Sequence, residues 1–151
     1  MLQQQLKKKR PFDSPEQEAA LNLSRTAGVL DNAAEQLFRA HGLSGACYNV
    51  LRILRGAGTE GLPSLEIRER LVSPLPDVTR LVDRLCASGL VRRQRTDADR
   101  RIVLVSIGQK GMDLLAKLDG PVIELHRKQL GHLTKQELSE LNRLLEKARR
   151  D

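Results

Sequence analysis

The sequence predicts a mainly α (α+β) fold, with helices at both ends of the chain around a helix-turn-helix and a single β-hairpin. Three observations carry that expectation. Apolar residues recur at helical spacing over 14–41 and again beyond 109; two short helical segments flank a proline-bearing turn near 73–76; and two β-rich runs, 90–95 and 102–107, are joined by a polar stretch. At 151 residues the chain fits one domain, or one that completes its core by pairing with a second copy.

Residues 1–13 read as a flexible basic arm whose run Lys7-Lys8-Lys9-Arg10 is either a solvated tail or a phosphate contact. Ser14-Pro15-Glu16 then places an N-cap, a proline at N1 and an acid in the first turn. Ala20, Leu23, Ala27, Leu30, Ala34 and Leu37 follow in steps of three and four, a narrow seam that asks for a partner helix, until Gly42 stops it. Ser44 caps a second helix with Cys47, Tyr48, Leu51 and Leu54 inward, ending at Gly56-Ala57-Gly58. Ser64 is expected to cap a short third helix with Ile67 and Leu71 on its apolar side.

Pro76 is placed as N1 of the next helix, in which Val78, Leu81, Val82 and Leu85 form one stripe and Gly89 is the stop. The hairpin comes next, with the charged tip Thr96-Asp97-Ala98-Asp99-Arg100-Arg101. Beyond Gly108 the helical period returns through Leu115, Leu118, Val122 and Leu125, with a bend expected at Gly120-Pro121. Thr134 and Glu137 spell a capping box for a last helix carrying Leu138, Leu141, Leu144 and Leu145 on one side.

Composition narrows the function classes. Lys and Arg outnumber Asp and Glu by 26 to 19, a formal net charge of +7 that favours an anionic partner. Aromatic residues are 2% of the chain, so stacking on single strands lacks its main instrument and duplex phosphates become the better target. No apolar run approaches the ~20 residues that span a bilayer, and no secretory signal opens the chain, so no membrane partner is expected and the expected location is the cytoplasm. Cys47 and Cys86 lie far apart, and His41, His126 and His132 lack ligand spacing; neither a disulfide framework nor a metal site, nor any cofactor, is expected. An enzyme fails on parts, with no nucleophile elbow, no phosphate-cradling glycine loop and no acid pair in an apolar setting.

The chemistry concentrates in residues 76–101, which hold seven arginines, four aspartates and no lysine. With the apolar stripe of the Pro76 helix facing the core, Asp77, Thr79, Arg80, Asp83 and Arg84 point away, and Arg80 and Arg84 are one turn apart. Arginine forks match the O6/N7 edge of guanine, and threonine suits a thymine methyl or a phosphate, so Thr79 and Arg80 are the candidates for base readout. The alternative is that the arginines only pair with Asp77 and Asp83 on the surface. At the hairpin tip Arg100 and Arg101 are placed for a minor groove, with Asp99 orienting one of them. Arg92, Arg93 and Arg95, on the strand leading there, suit phosphates.

The segments Leu62-Pro63-Ser64-Leu65-Glu66-Ile67, Asp77-Val78-Thr79-Arg80-Leu81-Val82-Asp83-Arg84-Leu85, Gly89-Leu90-Val91-Arg92-Arg93 and Asp99-Arg100-Arg101 resemble the winged helix-turn-helix of the MarR family of bacterial transcriptional regulators. The resemblance implies a single domain over 14–151, with a winged helix-turn-helix DNA-binding lobe at about 44–107 and dimerisation helices at about 14–41 and 109–150. It implies a homodimer on a pseudo-palindromic double-stranded operator, acting as a repressor, with Ser64, Pro76, Asp77, Thr79, Arg80, Arg84, Arg92, Arg95, Arg100 and Arg101 at the DNA. It also implies release by a small aromatic or phenolic ligand in a cleft near Phe38, His41, Tyr48 and Arg52, or by oxidation of a thiol, for which Cys47 is the better candidate. Glycine at 108, where the family usually has a threonine cap, is a departure that touches stability. A winged helix that binds protein instead of DNA is the remaining alternative.

Overall fold

The computed structural model describes residues 1–73, 77–95 and 102–150. In chain order these form α1 (Leu2–Gln5), α2 (Pro15–Arg39), α3 (Gly45–Gly56), β1 (Leu62–Pro63), α4 (Ser64–Glu69), α5 (Val78–Ala87), β2 (Val91–Arg95), β3 (Val103–Ile107), α6 (Gln109–Leu130) and α7 (Lys135–Ala148). The expected mainly helical fold with one hairpin is what these elements make.

Side-chain oxygens set most helix starts. Ser14 Oγ accepts from the Gln17 N–H at α2, Ser44 Oγ from the Cys47 N–H at α3, and Thr134 Oγ1 from the Glu137 N–H at α7, where the Glu137 carboxylate accepts in return from the Thr134 N–H. Each bond satisfies an N–H that the first helical turn leaves without a partner. Two starts differ from expectation. Ser64 is the first residue of α4, and Pro63 holds the cap position in extended backbone because it belongs to β1. The recognition-type helix α5 begins at Val78 with Asp77 as its cap, so Pro76 is not its N1 residue; Pro76 lies outside the described residues.

The β-hairpin pairs Val91 with Ile107 through Arg95 with Val103, antiparallel. Beside β3 lies a strand the sequence did not announce: Leu62 and Pro63 pair with Val105 and Leu104, giving the order β1-β3-β2. Proline is tolerated there because β1 is an edge. Gly61 makes the approach possible, with φ of +77° and a position where a Cβ would sit 2.6 Å from the Val105 carbonyl oxygen.

One core ties these pieces together. Val50, Leu51 and Leu54 of α3, Ile67 of α4, Val82 and Leu85 of α5, Val105 of β3, and Leu115 and Leu118 of α6 are essentially inaccessible to solvent. Gly111 lets the start of α6 close on β2, since a Cβ there would stand 2.5 Å from the Leu90 carbonyl oxygen. Gly108 caps α6 with no side-chain bond, as its lack of a hydroxyl dictates. The helix then runs unbroken from Gln109 to Leu130 through Pro121, so Gly120-Pro121 does not end it.

The ends of the chain are organised differently. Of the 25 residues of α2 only Phe38 is buried, and α7 buries none. The basic arm also departs from expectation, because residues 2–5 form a helical turn with Leu2 buried and Lys8 lies over the Phe12 ring. Among the described residues no helix is long and apolar enough to cross a membrane.

Candidate nucleic-acid interface

Helix α5 buries Val78, Val82 and Leu85, which leaves Thr79, Arg80, Asp83 and Arg84 on the opposite face, all exposed. The N-terminal turn is preorganised. Asp77 Oδ1 accepts from the Arg80 N–H at 3.0 Å, and Asp77 Oδ2 stands 2.8 Å from Arg80 Nε. Asp77 therefore spends both carboxylate oxygens on its own helix and positions Arg80, where the sequence had put it among the DNA-facing groups. The Arg80 side chain is still 87% exposed, so the pair orients the guanidinium without shielding it from a ligand. Such an exposed pair contributes at most ~1 kcal/mol to stability and is readily exchanged for a stronger anion.

The hairpin is braced against this helix. Arg93 of β2 pairs with Asp83 of α5 at 2.5 Å, so Arg93 acts as a strap between strand and helix, and Asp83 is neutralised where it would repel phosphate. Alternation along β2 puts Arg95 on the same face as Arg93, toward α5, while Arg92 lies on the other face with its Nε beside Gly108 at the start of α6. Arg84 and Arg95 make no ion pair among the described residues, and both are exposed. Ser64 sits half-buried at the start of α4. Asp99, Arg100 and Arg101 at the hairpin tip lie outside the described residues, as does Pro76.

The residues expected around an effector separate into two groups. Phe38 is buried and stacks on Tyr48 with ring centroids 4.2 Å apart and planes 20° from parallel, an aromatic pair built into the core. Arg52 stands 3.5 Å from Asp119 of α6. Only His41 borders an open cleft of about 410 Å³, together with Leu43, Leu90, Leu114, Lys110 and Lys117. One Nδ1 contact to the Leu37 carbonyl oxygen at 3.0 Å fixes the His41 ring. Lys110 Nζ donates to the Ser88 carbonyl oxygen at 2.9 Å, closing the end of α5 over the cleft.

Cys47 is 2% exposed, packed in the core with its N–H on Ser44. A sensing thiolate has to be accessible and ionised, so this burial removes Cys47 as the redox candidate. It lies on the apolar face of α3 with Leu51 and Leu54 because it is small and hydrophobic.

Sequence reasoning missed one contact that joins the halves of the molecule. Arg55 of α3 holds Asp119 of α6 with two parallel bonds, Nη1 to Oδ2 and Nη2 to Oδ1, each 2.8 Å. The Arg55 hydrogen bonds pull the Asp119 carboxyl below the usual aspartate range, with Arg52 adding to the effect. The spacing of Arg52 and Arg55 on one helix face was readable, but nothing local identifies a partner 64 residues away.

Comparison with known proteins places this arrangement in a family. The MarR family model matches residues 41–102. The crystal structure of a MarR transcription factor from Planctomyces limnophilus is 46% identical, covers 90% of this chain and 98% of its own, and superposes with a TM-score of 0.70. The chain belongs to the MarR family. Its members are transcriptional regulators, DNA-binding proteins with no enzymatic activity of their own, and α5 with β2 and β3 is this chain's winged helix. A mutant MarR from Escherichia coli, solved in complex with operator DNA, is similar at 25% identity, 87% and 93% coverage and a TM-score of 0.79. Among curated regulators the Escherichia coli protein PapX is 29% identical over 89 residues, which cover 59% of this chain; the chain spans about half of PapX, 54% of its length.

Proposed function

We propose that this MarR-family chain works in the cytoplasm as a homodimeric repressor that reads a pseudo-palindromic duplex with one α5 per half-site and blocks polymerase. The carrying observation is α5 itself, with Thr79, Arg80 and Arg84 exposed on one face and Arg80 preorganised by Asp77. In this reading Thr79 and Arg80 contact base edges in the major groove, and Arg84 and Arg95 contact phosphates. Ser64 adds a backbone contact from α4, and Arg92 reaches the phosphate that flanks the wing. Pro76 is counted among the residues at the DNA. Arg100 and Arg101 reach the adjacent minor groove, with Asp99 orienting one of them.

The homodimer is supported by apolar side chains left open at the terminal helices. Leu21, Leu23 and Val29 of α2, Ile123 of α6 and Leu144 of α7 are all at least 40% exposed. Covering such a face with its copy is the standard solution for a symmetric pair. The operator complex of the similar Escherichia coli MarR mutant supports the DNA reading. An effector enters this scheme at the cleft bordered by His41, Lys110, Asp113 and Lys117, whose apolar side chains Leu43, Leu90 and Leu114 suit a small aromatic or phenolic ligand.

Selection from a randomised duplex library at two salt concentrations tests the proposal. The expected result is an enriched inverted repeat with half-sites about one helical turn, roughly 10 bp, apart, retained less at high salt. A folded dimer that enriches nothing at either salt overturns it.

A further inference from the structure

Helix α5 carries the residues placed at base edges, and contacts from outside it set where it lies. Its middle is braced by the Arg93–Asp83 pair, and its end by Lys110 Nζ on the Ser88 carbonyl oxygen. The turn that leads into it is tied by Asn49 of α3, whose Oδ1 accepts from the Val72 N–H at 3.0 Å across 23 positions of chain. Only the amide oxygen can accept from an N–H, so this bond fixes which way the Asn49 amide faces. The turn has little else to hold it. Val72 is 86% exposed, Ser73 is exposed, and among the described residues no other hydrogen bond joins residues 71–73 to an element beyond α4. Asparagine is also a poor choice inside a helix, where alanine or leucine would serve α3 better, so its presence at the fifth of twelve positions asks for a reason.

We propose that Asn49 is a positioning residue for sequence readout: by holding the Val72 amide it sets the entry of α5, and with it the depth and angle at which Thr79 and Arg80 meet base edges. The inference rests on the operator reading above. Groups that read base edges have to be held within about 0.5 Å of their productive geometry, whereas phosphate contacts serve any sequence. Thr79 and Arg80 are the second and third residues of α5, seven and eight positions past Val72, so a shift of the turn reaches them first. Arg84 lies a further turn along, nearer the end that Lys110 holds. Loosening the turn therefore costs recognition of sequence and spares attachment to the duplex.

The test compares full-length variants on the selected operator and on random duplex. Asn49→Ala removes the acceptor at an exposed site where water can take the Val72 N–H, so melting should stay close to that of the unaltered protein. Affinity should nevertheless fall about fivefold to tenfold on the operator and less than about twofold on random duplex. Asn49→Asp keeps an acceptor and adds a charge; it should weaken both duplexes alike and so preserve the ratio of operator to random affinity. Amide exchange at Val72 reads the tie without DNA, and should quicken in Asn49→Ala but not in Asn49→Asp. An unchanged ratio or unchanged Val72 exchange in Asn49→Ala overturns the inference, and so does an Asn49→Asp protein that loses the ratio. If Asn49→Ala melts at the assay temperature, Asn49→Gln, which carries its acceptor one methylene further out, takes its place, and an unchanged ratio there overturns the inference instead. An unaltered protein that selects no operator overturns the regulator reading and the readout role together, which separates that failure from a sharp operator whose affinity ratio ignores Asn49.

Discussion

The DNA-facing lobe and the terminal helices follow the same apolar periodicities and reach opposite ends. In the lobe, α3, α4, α5, the sheet and the first half of α6 bury one another until Val50, Leu51, Leu54 and Leu115 see no solvent. In α2 and α7 equally regular seams end with Leu23 at 44% and Leu144 at 48% exposure. Periodicity identifies a face that needs covering, and topology decides whether this chain can supply the cover. The lobe meets the need from within, so its fold is a property of one chain, whereas the terminal helices leave exposed the apolar faces that the proposed homodimer would cover.

The largest expected effect separates the two regions directly. Leu115→Ala, at full burial, should destabilise the chain by ~2–5 kcal/mol through lost burial and a residual cavity. Leu23→Glu should change the unfolding of the dilute monomer by less than ~0.5 kcal/mol, as surface changes do. It should nevertheless abolish the dimer and the concentration dependence of Tm. Sedimentation and thermal melting across a hundredfold range of concentration check both; a Leu23→Glu protein that sediments as the parent does would break the contrast.

Much of the fold was legible because its signals are local. Ser14, Ser44 and the Thr134-Glu137 box announce helix starts through oxygens within three residues of their targets. The hairpin strands are long enough to show their pattern. β1 was invisible because two residues carry no period, and its pairing depends on β3 some forty positions on. At α5 the sequence pointed to Pro76 as the start, whereas Asp77 caps the helix because its carboxylate accepts from the Arg80 N–H. Thr79, Arg80 and Arg84 were readable as the outer face once the apolar stripe was known. The roles of Arg93 and Arg55 were not, since their partners, Asp83 and Asp119, are contacts of the folded chain.

A second prediction concerns the surface that both regions serve. Arg80→Ala should cost ~1–3 kcal/mol in operator affinity and relax sequence preference, with melting and dimerisation unchanged. Arg84→Ala should weaken operator and random duplex alike and lower the salt slope by about one. Titration of both duplexes at several salt concentrations distinguishes them, and equal losses on the two duplexes for Arg80→Ala would remove it from base readout. A smaller effect belongs to α7, where Thr134→Ala removes one half of the capping box and should cost ~1 kcal/mol. Because α7 is packed on little of its own chain, the loss should appear as faster amide exchange in α7 while the lobe keeps its protection.

The smallest effect is a pH dependence, and it also divides the molecule. Asp119 is held below the ordinary aspartate range chiefly by the Arg55 hydrogen bonds; Glu137 and Glu140, on α7, are lowered by Thr134 and by Arg143. A lowered pKa means the folded state binds its proton less readily than the unfolded state. The stabilisation is therefore whole above the unfolded value and is lost as pH falls through the folded one. Salt should erase more of the share from α7, where the carboxylates are bathed in solvent, than of the share from Asp119, which is 39% exposed beside an Arg55 that is 25% exposed. Melting followed from about pH 5 down to about pH 3, the range in which carboxylates titrate, should show an acid loss that persists in high salt for the parent protein and shrinks for Asp119→Asn. An identical high-salt profile in the two proteins would mean that the Arg55–Asp119 contact does not hold α3 to α6 in solution.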